Sequence, residues 1–480
     1  NNPSTIHPTT PFMRLVIAVV LCMFTFSLHA QKPSITPEQR REDLSYMNKY
    51  LKKFHPAYHS YTPQPRMDAF YDSLKNACSI TTTNLDFLAM IRQAVGKVGC
   101  GHMGVQGTNK QTQAPALCPV EVWVLGRRVY VQSQDSLWNK GDEILSVNGQ
   151  QVGELIPKME SLAFSDGYNT THRTYVAEHN FAVFLYILLQ KPDTYVFSIR
   201  NKAGDTTTIN VAAKVLKPTP SKNPTKDTTR RVIQGNNVAL YTTDFDSTTM
   251  LLDIDQFFGK HNARTYRDVF GYLKDHKIQN LILDLRNNGG GSIFKGNALL
   301  SYLLDEPIRG FTFGRKPNLM MLNPRIKAGF FERITPLLFM LNPLQFPNKY
   351  GWNHIFPFFK KKKNHFDGKL FVLTNGGTFS MASFVASHLK YRKNATVVGE
   401  ETGGSEYGSR GMAGSSIILP HSRLRVNFNS YQITHHLGIK DSDHGVMPDY
   451  PTPYQIEDKL SNIDLELTQI KALITGHGKR

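Results

Sequence analysis

The stretch NLILDLRNNGGGS at residues 280–292 decides the fold. Leu281 to Leu285, apolar except for Asp284, form a strand that passes directly into Arg286, two asparagines and three consecutive glycines. A strand with no polar alternation is buried on both faces, as in a parallel sheet covered by helices. Glycines at its carboxyl end, ahead of the helical pattern GNALLSYLL (296–304), leave backbone N–H groups unobstructed where an anion or a developing oxyanion can be held.

Working outward, the same order recurs. TMLLDIDQF (249–257) reads as a strand, Ala263 to Lys277 as a helix, KLFVLT (369–374) as a strand and SMASFVASHLK (380–390) as a helix. This alternation predicts an α/β layer with parallel strands. In FVLTNGGTFSMAS (371–383) a serine, Ser380, opens a helix directly after a strand and a turn, near the positive end of the helix dipole. Two readings of Ser380 stand at this point: a helix cap or an exposed nucleophile. Upstream, VGCGHMGV (98–105) holds His102 between glycines on a turn.

Three regions precede or interrupt this core. Apolar residues at helical spacing (Leu44, Met47, Leu51; Phe87, Ile91, Val95) predict a helical region over 31–114 that carries His102. Residues 115–213 switch to alternating β-type patterning, and GDEILSVNGQQV (141–152), with Asn148-Gly149 as a tight turn, resembles part of a PDZ domain. It lacks an apolar-Gly-apolar loop for capturing a peptide carboxylate, so peptide binding and plain scaffolding both stand. Residues 214–235 read as a Pro- and Thr-rich linker, and 236–480 as the α/β core. Within that core, 308–366 carries 11 Lys and Arg against one Asp or Glu, together with Phe, Trp and Pro clusters. The segment reads as a lid or a contact with an anionic membrane surface, or as a packed crossover with a solvated basic rim.

The 480 residues are 40% hydrophobic and 20% charged, which excludes global disorder, and the formal net charge is +18. From Met13, one Arg, a 14-residue apolar run from Leu15 to Leu28 and a small residue at Ala30 form a secretory signal, cut before Gln31. Residues 1–12 are set aside as upstream sequence. Export permits a disulfide among Cys78, Cys100 and Cys118; Cys100 with Cys118 is the expected pair, with three buried thiols as the alternative. No cofactor is called for: Walker, Rossmann and zinc-type spacings are absent, and His435, His436 and His444 lack metal-ligand spacing, so no metal is expected. Export and the lack of a reader motif exclude nucleic acid as partner.

Taken in chain order, GCGHMGV, DLRNNGGGS and TFSMAS, with VVGEETGGSEYG (397–408) and GVMPDY (445–450), resemble the C-terminal processing peptidase family, especially its tricorn-core and retinoid-binding-protein-like branch. The resemblance spans residues 98–455. It implies a ClpP/crotonase-like α/β catalytic core behind the PDZ-like insert, and a serine endopeptidase of the Gram-negative envelope acting on polypeptides. In it Ser380 is the nucleophile, His102 the general base, and the backbone N–H groups of Gly290 and Met381 the oxyanion hole. A Ser/Lys dyad of the processing branch is disfavoured because no lysine lies between Asn394 and Arg410. The branch places a carboxylate just before its GV-x-PD signature; here the segment reads IKDSDHGVMPD, so Asp443 is the expected partner of His102, with Asp441 and Ser442 also at that place. The family glutamate three residues after the serine is Ser383 here. A silent peptide-binding scaffold and a hydrolase of other acyl substrates are the competing readings.

Overall fold

The computed structural model describes residues 35–107, 114–216, 230–259, 262–307, 311–313, 323–330, 333–334, 341, 345–348, 351–354, 361–435, 437–440 and 442–476. The expected secretory signal, Cys22, His436, Asp441, the middle of the 214–235 linker and most of the 308–366 segment lie outside the described residues. Among the described residues no helix is long and apolar enough to cross a membrane.

The strand Asn280–Asp284 is buried at every position. It lies in the middle of a seven-stranded sheet ordered Arg231–Gln234, Val238–Thr242, Thr249–Ile254, Asn280–Asp284, Lys369–Thr374, Thr396–Gly399, Tyr450–Pro451. From Thr249–Ile254 onward the pairing is parallel, and the first two joins are antiparallel. Side chains alternate between two apolar layers. Leu281 and Leu283 enter the larger one with residues of the helices Asn262–Asp275, Ile293–Leu303 and Met381–Lys393; Ile282 enters the smaller one with Ile470 of the C-terminal helix Leu465–Ile474. Three consecutive apolar residues, Leu281 to Leu283, therefore report a strand covered on both faces.

Upstream, three helices, Pro37–Phe54, Gln64–Ala77 and Asn84–Gly96, lead to the short strand Gly104–Gln106. A second, antiparallel sheet follows, ordered Val122–Leu125, Arg128–Val131, Glu143–Val147, Thr194–Arg200, Thr206–Ala212. Asn148 and Gly149 both take positive φ (48° and 76°) to join Glu143–Val147 to Gln150–Gln151, the two-residue turn their sequence demands. Both ends of the 214–235 linker are strands: Lys214–Val215 pairs with Ala116–Leu117, and Arg231–Gln234 opens the core sheet.

A third sheet was not legible beforehand. Gly104–Gln106 pairs with Arg425–Thr434, which also pairs with Gly408–Ile418 and with Phe311–Phe313; beyond these lie Gly351–His354 and, at the edge, Gln345–Asn348. The described parts of the basic segment thus extend a sheet. Pro347 falls in the edge strand, where its missing N–H costs no ladder bond.

The expected Cys100–Cys118 disulfide does not form: Cys78, Cys100 and Cys118 are all buried free thiols. Cys118 is packed in the apolar core of the second sheet, where burial pushes its thiol up to about 12.

One ion cluster ties the chain's end to its centre. Arg286, at the mouth of the glycine turn, bonds both carboxylate oxygens of Asp284 (3.1 and 2.8 Å), both of Asp464 (3.1 and 2.9 Å) and Oε2 of Glu466 (3.0 Å). Burial alone would disfavour its charge; the three carboxylates outweigh that and hold the guanidinium firmly protonated. Replacing Arg286 with Met leaves three acidic groups facing one another. Urea unfolding should show a loss of about 3–5 kcal/mol, whereas the exposed pair Lys471–Asp244 should contribute less than about 1 kcal/mol when removed.

Candidate active site

Ser380 adopts φ 54° and ψ −116°, a conformation L-residues avoid, and its side chain makes no capping bond to the Met381–Lys393 helix. The cap reading falls. Instead its Oγ lies 3.0 Å from Nε2 of His102. The two residues are 278 positions apart, and the third sheet brings them together: Gly104, two residues after His102, pairs with Asn427.

The glycine turn supports Ser380 from beneath. Asn287 and Asn375 bond reciprocally, side-chain amide to oxygen and backbone N–H to side-chain oxygen. The carbonyl of Asn288 accepts from Phe379 N–H (2.9 Å), and Asn288 Nδ2 donates to Ile254 O (2.6 Å). Gly290 has φ +99°, and a Cβ there would stand 2.7 Å from Met381 N and 2.8 Å from both Phe379 O and Ser380 Cβ. Only glycine lets the two backbones meet so closely.

Of the two expected oxyanion donors, Met381 opens its helix, so its N–H has no intrahelical acceptor and faces the serine end. Gly290 differs from expectation: its N–H donates to Asn288 Oδ1 at 2.9 Å, because the asparagine side chain folds back over the turn.

Behind these groups, Ser383 donates to Thr378 O (2.8 Å) and accepts from Gly404 N–H (3.2 Å), so it ties the serine turn to the GE-T-GG segment in the place of the missing glutamate. That segment packs on GV-x-PD: Glu401 Oε1 accepts from Gly445 N–H (2.8 Å), and Thr402 Oγ1 from Val446 N–H (2.8 Å).

At the place expected for the partner of His102, Ser442 Oγ donates to Glu406 Oε1 (2.6 Å). Asp443 sits in left-handed backbone (φ 61°), with its carbonyl accepting from Tyr168 N–H at 3.0 Å. A residue missed in the sequence comes closer to attention. Asp166 is 3% exposed, and a carboxylate oxygen of Asp166, a ring nitrogen of His102 and Sγ of Cys100 all lie within 4.8 Å of one another. The signal that could have exposed it is the turn-forming run SDGYN (165–169) between two apolar stretches. Nearby, Phe379 is sandwiched between the rings of His102 (4.6 Å) and His172 (4.7 Å). Burial holds the pKa of His172 below its ordinary value, and its Nδ1 is 2.7 Å from Gly376 O, a structural position.

Thiol, imidazole and carboxylate at 100, 102 and 166 are donors a zinc ion accepts, and His102 also has its Nε2 3.0 Å from Ser380 Oγ. The second such cluster, Asp305, His365 and Asp367, is already neutralised by Lys361 and Lys393. Beside His102 a cleft of about 390 Å³ opens, rimmed by Lys327, Arg425, Asn427 and Asn429.

Residues 248–452 match the model of peptidase family S41. The match includes the glycine turn and Ser380, and stops short of His102 and Asp166. Among solved structures, mature CPAF is similar with a TM-score of 0.67 at 15% identity, covering 92% of this chain and 99% of that one. Mature CPAF complexed with lactacystin gives 0.68 at 15% identity, covering 92% and 98%. At that identity the likeness is one of fold. No curated protein matches the sequence.

Gly290→Ala should lower the thermal unfolding midpoint and cut turnover of the folded protein at least about 100-fold, because the new methyl group strains the turn and displaces Ser380 and Met381 from their present positions. Turnover within threefold of wild type would show that the two backbones do not need this approach.

Proposed function

We propose that this chain, a serine-type peptidase built on the core of family S41, is an exported endopeptidase that hydrolyses polypeptides through an acyl-enzyme on Ser380. The observation carrying the reading is the 3.0 Å approach of His102 Nε2 to Ser380 Oγ, with the serine in a conformation its own helix does not require. A serine hydroxyl is a weak nucleophile until a base takes its proton, and an imidazole titrating near 6.5 does this at neutral pH.

His102 Nε2 takes the Oγ proton as Oγ attacks the scissile carbonyl. The carbonyl electrons move onto oxygen, and Met381 N–H supports the resulting oxyanion. Gly290 N–H joins it once Asn288 Oδ1 turns aside. Collapse of the intermediate expels the amine, which receives the proton from His102; water then repeats the sequence and releases the acid. Substrate lies in the cleft beside His102, whose Lys327 and Arg425 rim favours acidic over basic side chains there. The Met13–Ala30 segment supports export, and the basic 308–366 segment supports contact with an anionic membrane surface. The sheet over 122–212 stands where a PDZ-like module would present substrate.

The test is fluorophosphonate labelling of the chain from Gln31, which reports only activated serines. Wild type should label, and Ser380→Ala and His102→Ala should not. Folded wild type that binds peptide without labelling would replace this reading with a non-hydrolytic scaffold.

A further inference from the structure

We infer that Asp166 is the carboxylate that positions His102 for proton transfer, in the place the sequence assigned to Asp443; the inference rests on the Ser380/His102 reading above. A carboxylate oxygen of Asp166 and a ring nitrogen of His102 are within 4.8 Å, in a buried setting where a charge acts with little screening. No direct hydrogen bond joins Asp166 to the ring in this structure; with Nε2 directed at Ser380, Nδ1 is the nitrogen such a carboxylate would take.

The carboxylate is held from both sides. Its Oδ1 accepts the N–H of Gly101, the residue adjoining His102, at 2.8 Å, and its Oδ2 faces the N–H of Ser405 at 3.5 Å. The turn that carries it is fixed at three more points: Gly167 N–H donates to Gly99 O (3.0 Å), Tyr168 N–H to Asp443 O (3.0 Å), and Asn169 Nδ2 to Thr402 O (2.6 Å). Gly167 has φ +56°, and a Cβ there would collide with Asp443 O. Asp443 thus contributes through its main chain, by holding the turn that presents Asp166.

The other groups facing this space are Cys100, Phe379 and Ser380, with His172 behind Phe379. Two acidic residues of the surrounding segments bond elsewhere: Glu401 to His444 and Gly445, Glu406 to Tyr391 and Ser442. When His102 accepts the serine proton, the positive ring is stabilised by Asp166, which orients it and takes no proton itself; the proton leaves with the amine.

The experiment compares Asp166→Asn, Asp166→Glu and Asp443→Asn in the full chain, with a peptide that wild type cleaves. Asp166→Asn should lower kcat by about 10²- to 10⁴-fold with KM nearly unchanged. A neighbouring negative charge favours the imidazolium and raises its pKa, so removing it should move the acidic limb of the kcat/KM profile to lower pH, by about one unit. Asp166→Glu should restore part of the rate and the position of that limb. A merely structural role would reduce the rate without moving the limb, and that result, or a shift produced by Asp443→Asn alone, overturns the inference. Should Asp166→Asn fail to fold, ¹⁵N NMR of histidine in Ser380→Ala decides: an Nδ1–H tautomer of His102 supports the assignment and an Nε2–H tautomer overturns it. Absence of cleavage and labelling in wild type would instead remove the Ser380/His102 reading itself.

Discussion

A backbone-to-backbone approach governs the position of Ser380: the turn at Gly290 lies against Phe379, Ser380 and Met381 with no space for a methyl group between them. That contact has to be paid for in several currencies of structure at once. Gly290 and Gly291 take φ of 99° and 138°, Asn288 turns its side chain inward to bond Ile254 O and Gly290 N–H, Asn375 accepts from Asn287 N–H, and Ser380 accepts a strained conformation. The parallel strands Asn280–Asp284 and Lys369–Thr374 run in register side by side, so the two turns leave the sheet at the same edge and meet. The chemistry follows from a place where ordinary side chains do not fit.

The two reacting groups arrive by separate routes. Ser380 is delivered by the core sheet, while His102 follows the third of the N-terminal helices and is held by pairing of Gly104–Gln106 with Arg425–Thr434. The third sheet joins these routes, and segments of the basic region are woven into it. Arg286 secures the glycine turn to the C-terminal helix through Asp464 and Glu466. Distant parts of the sequence therefore act on one hydrogen bond.

How much was readable beforehand depended on how local the signal was. Ser380, His102 and the glycine turn were legible because each lies in a short run whose glycines have a steric reason to be there. The core strand was legible because burial on both faces removes polar alternation from Leu281–Leu283. Asp166 was not, since Ser-Asp-Gly-Tyr-Asn is the composition of any tight turn and its meaning comes from a histidine 64 residues earlier. In the third sheet, Gly104–Gln106, Phe311–Phe313, Gln345–Asn348 and Gly351–His354 have only three or four residues each, one of them containing Pro347, too few positions for a period to show. The expected cysteine pair failed because export permits a disulfide without bringing two sulfurs together; Cys100 packs beside His102 and Cys118 in another core.

The Arg286 cluster has a bearing on synthesis. A ribosome makes His102 first, Ser380 278 residues later, and Asp464 and Glu466 after both. A nascent chain that has not yet released those two carboxylates leaves Arg286 with Asp284 alone among its three acidic partners, and the turn beneath Ser380 is held from one side only. Order of emergence thus leaves the turn beneath Ser380 without its two downstream carboxylates until residues 464 and 466 have been made.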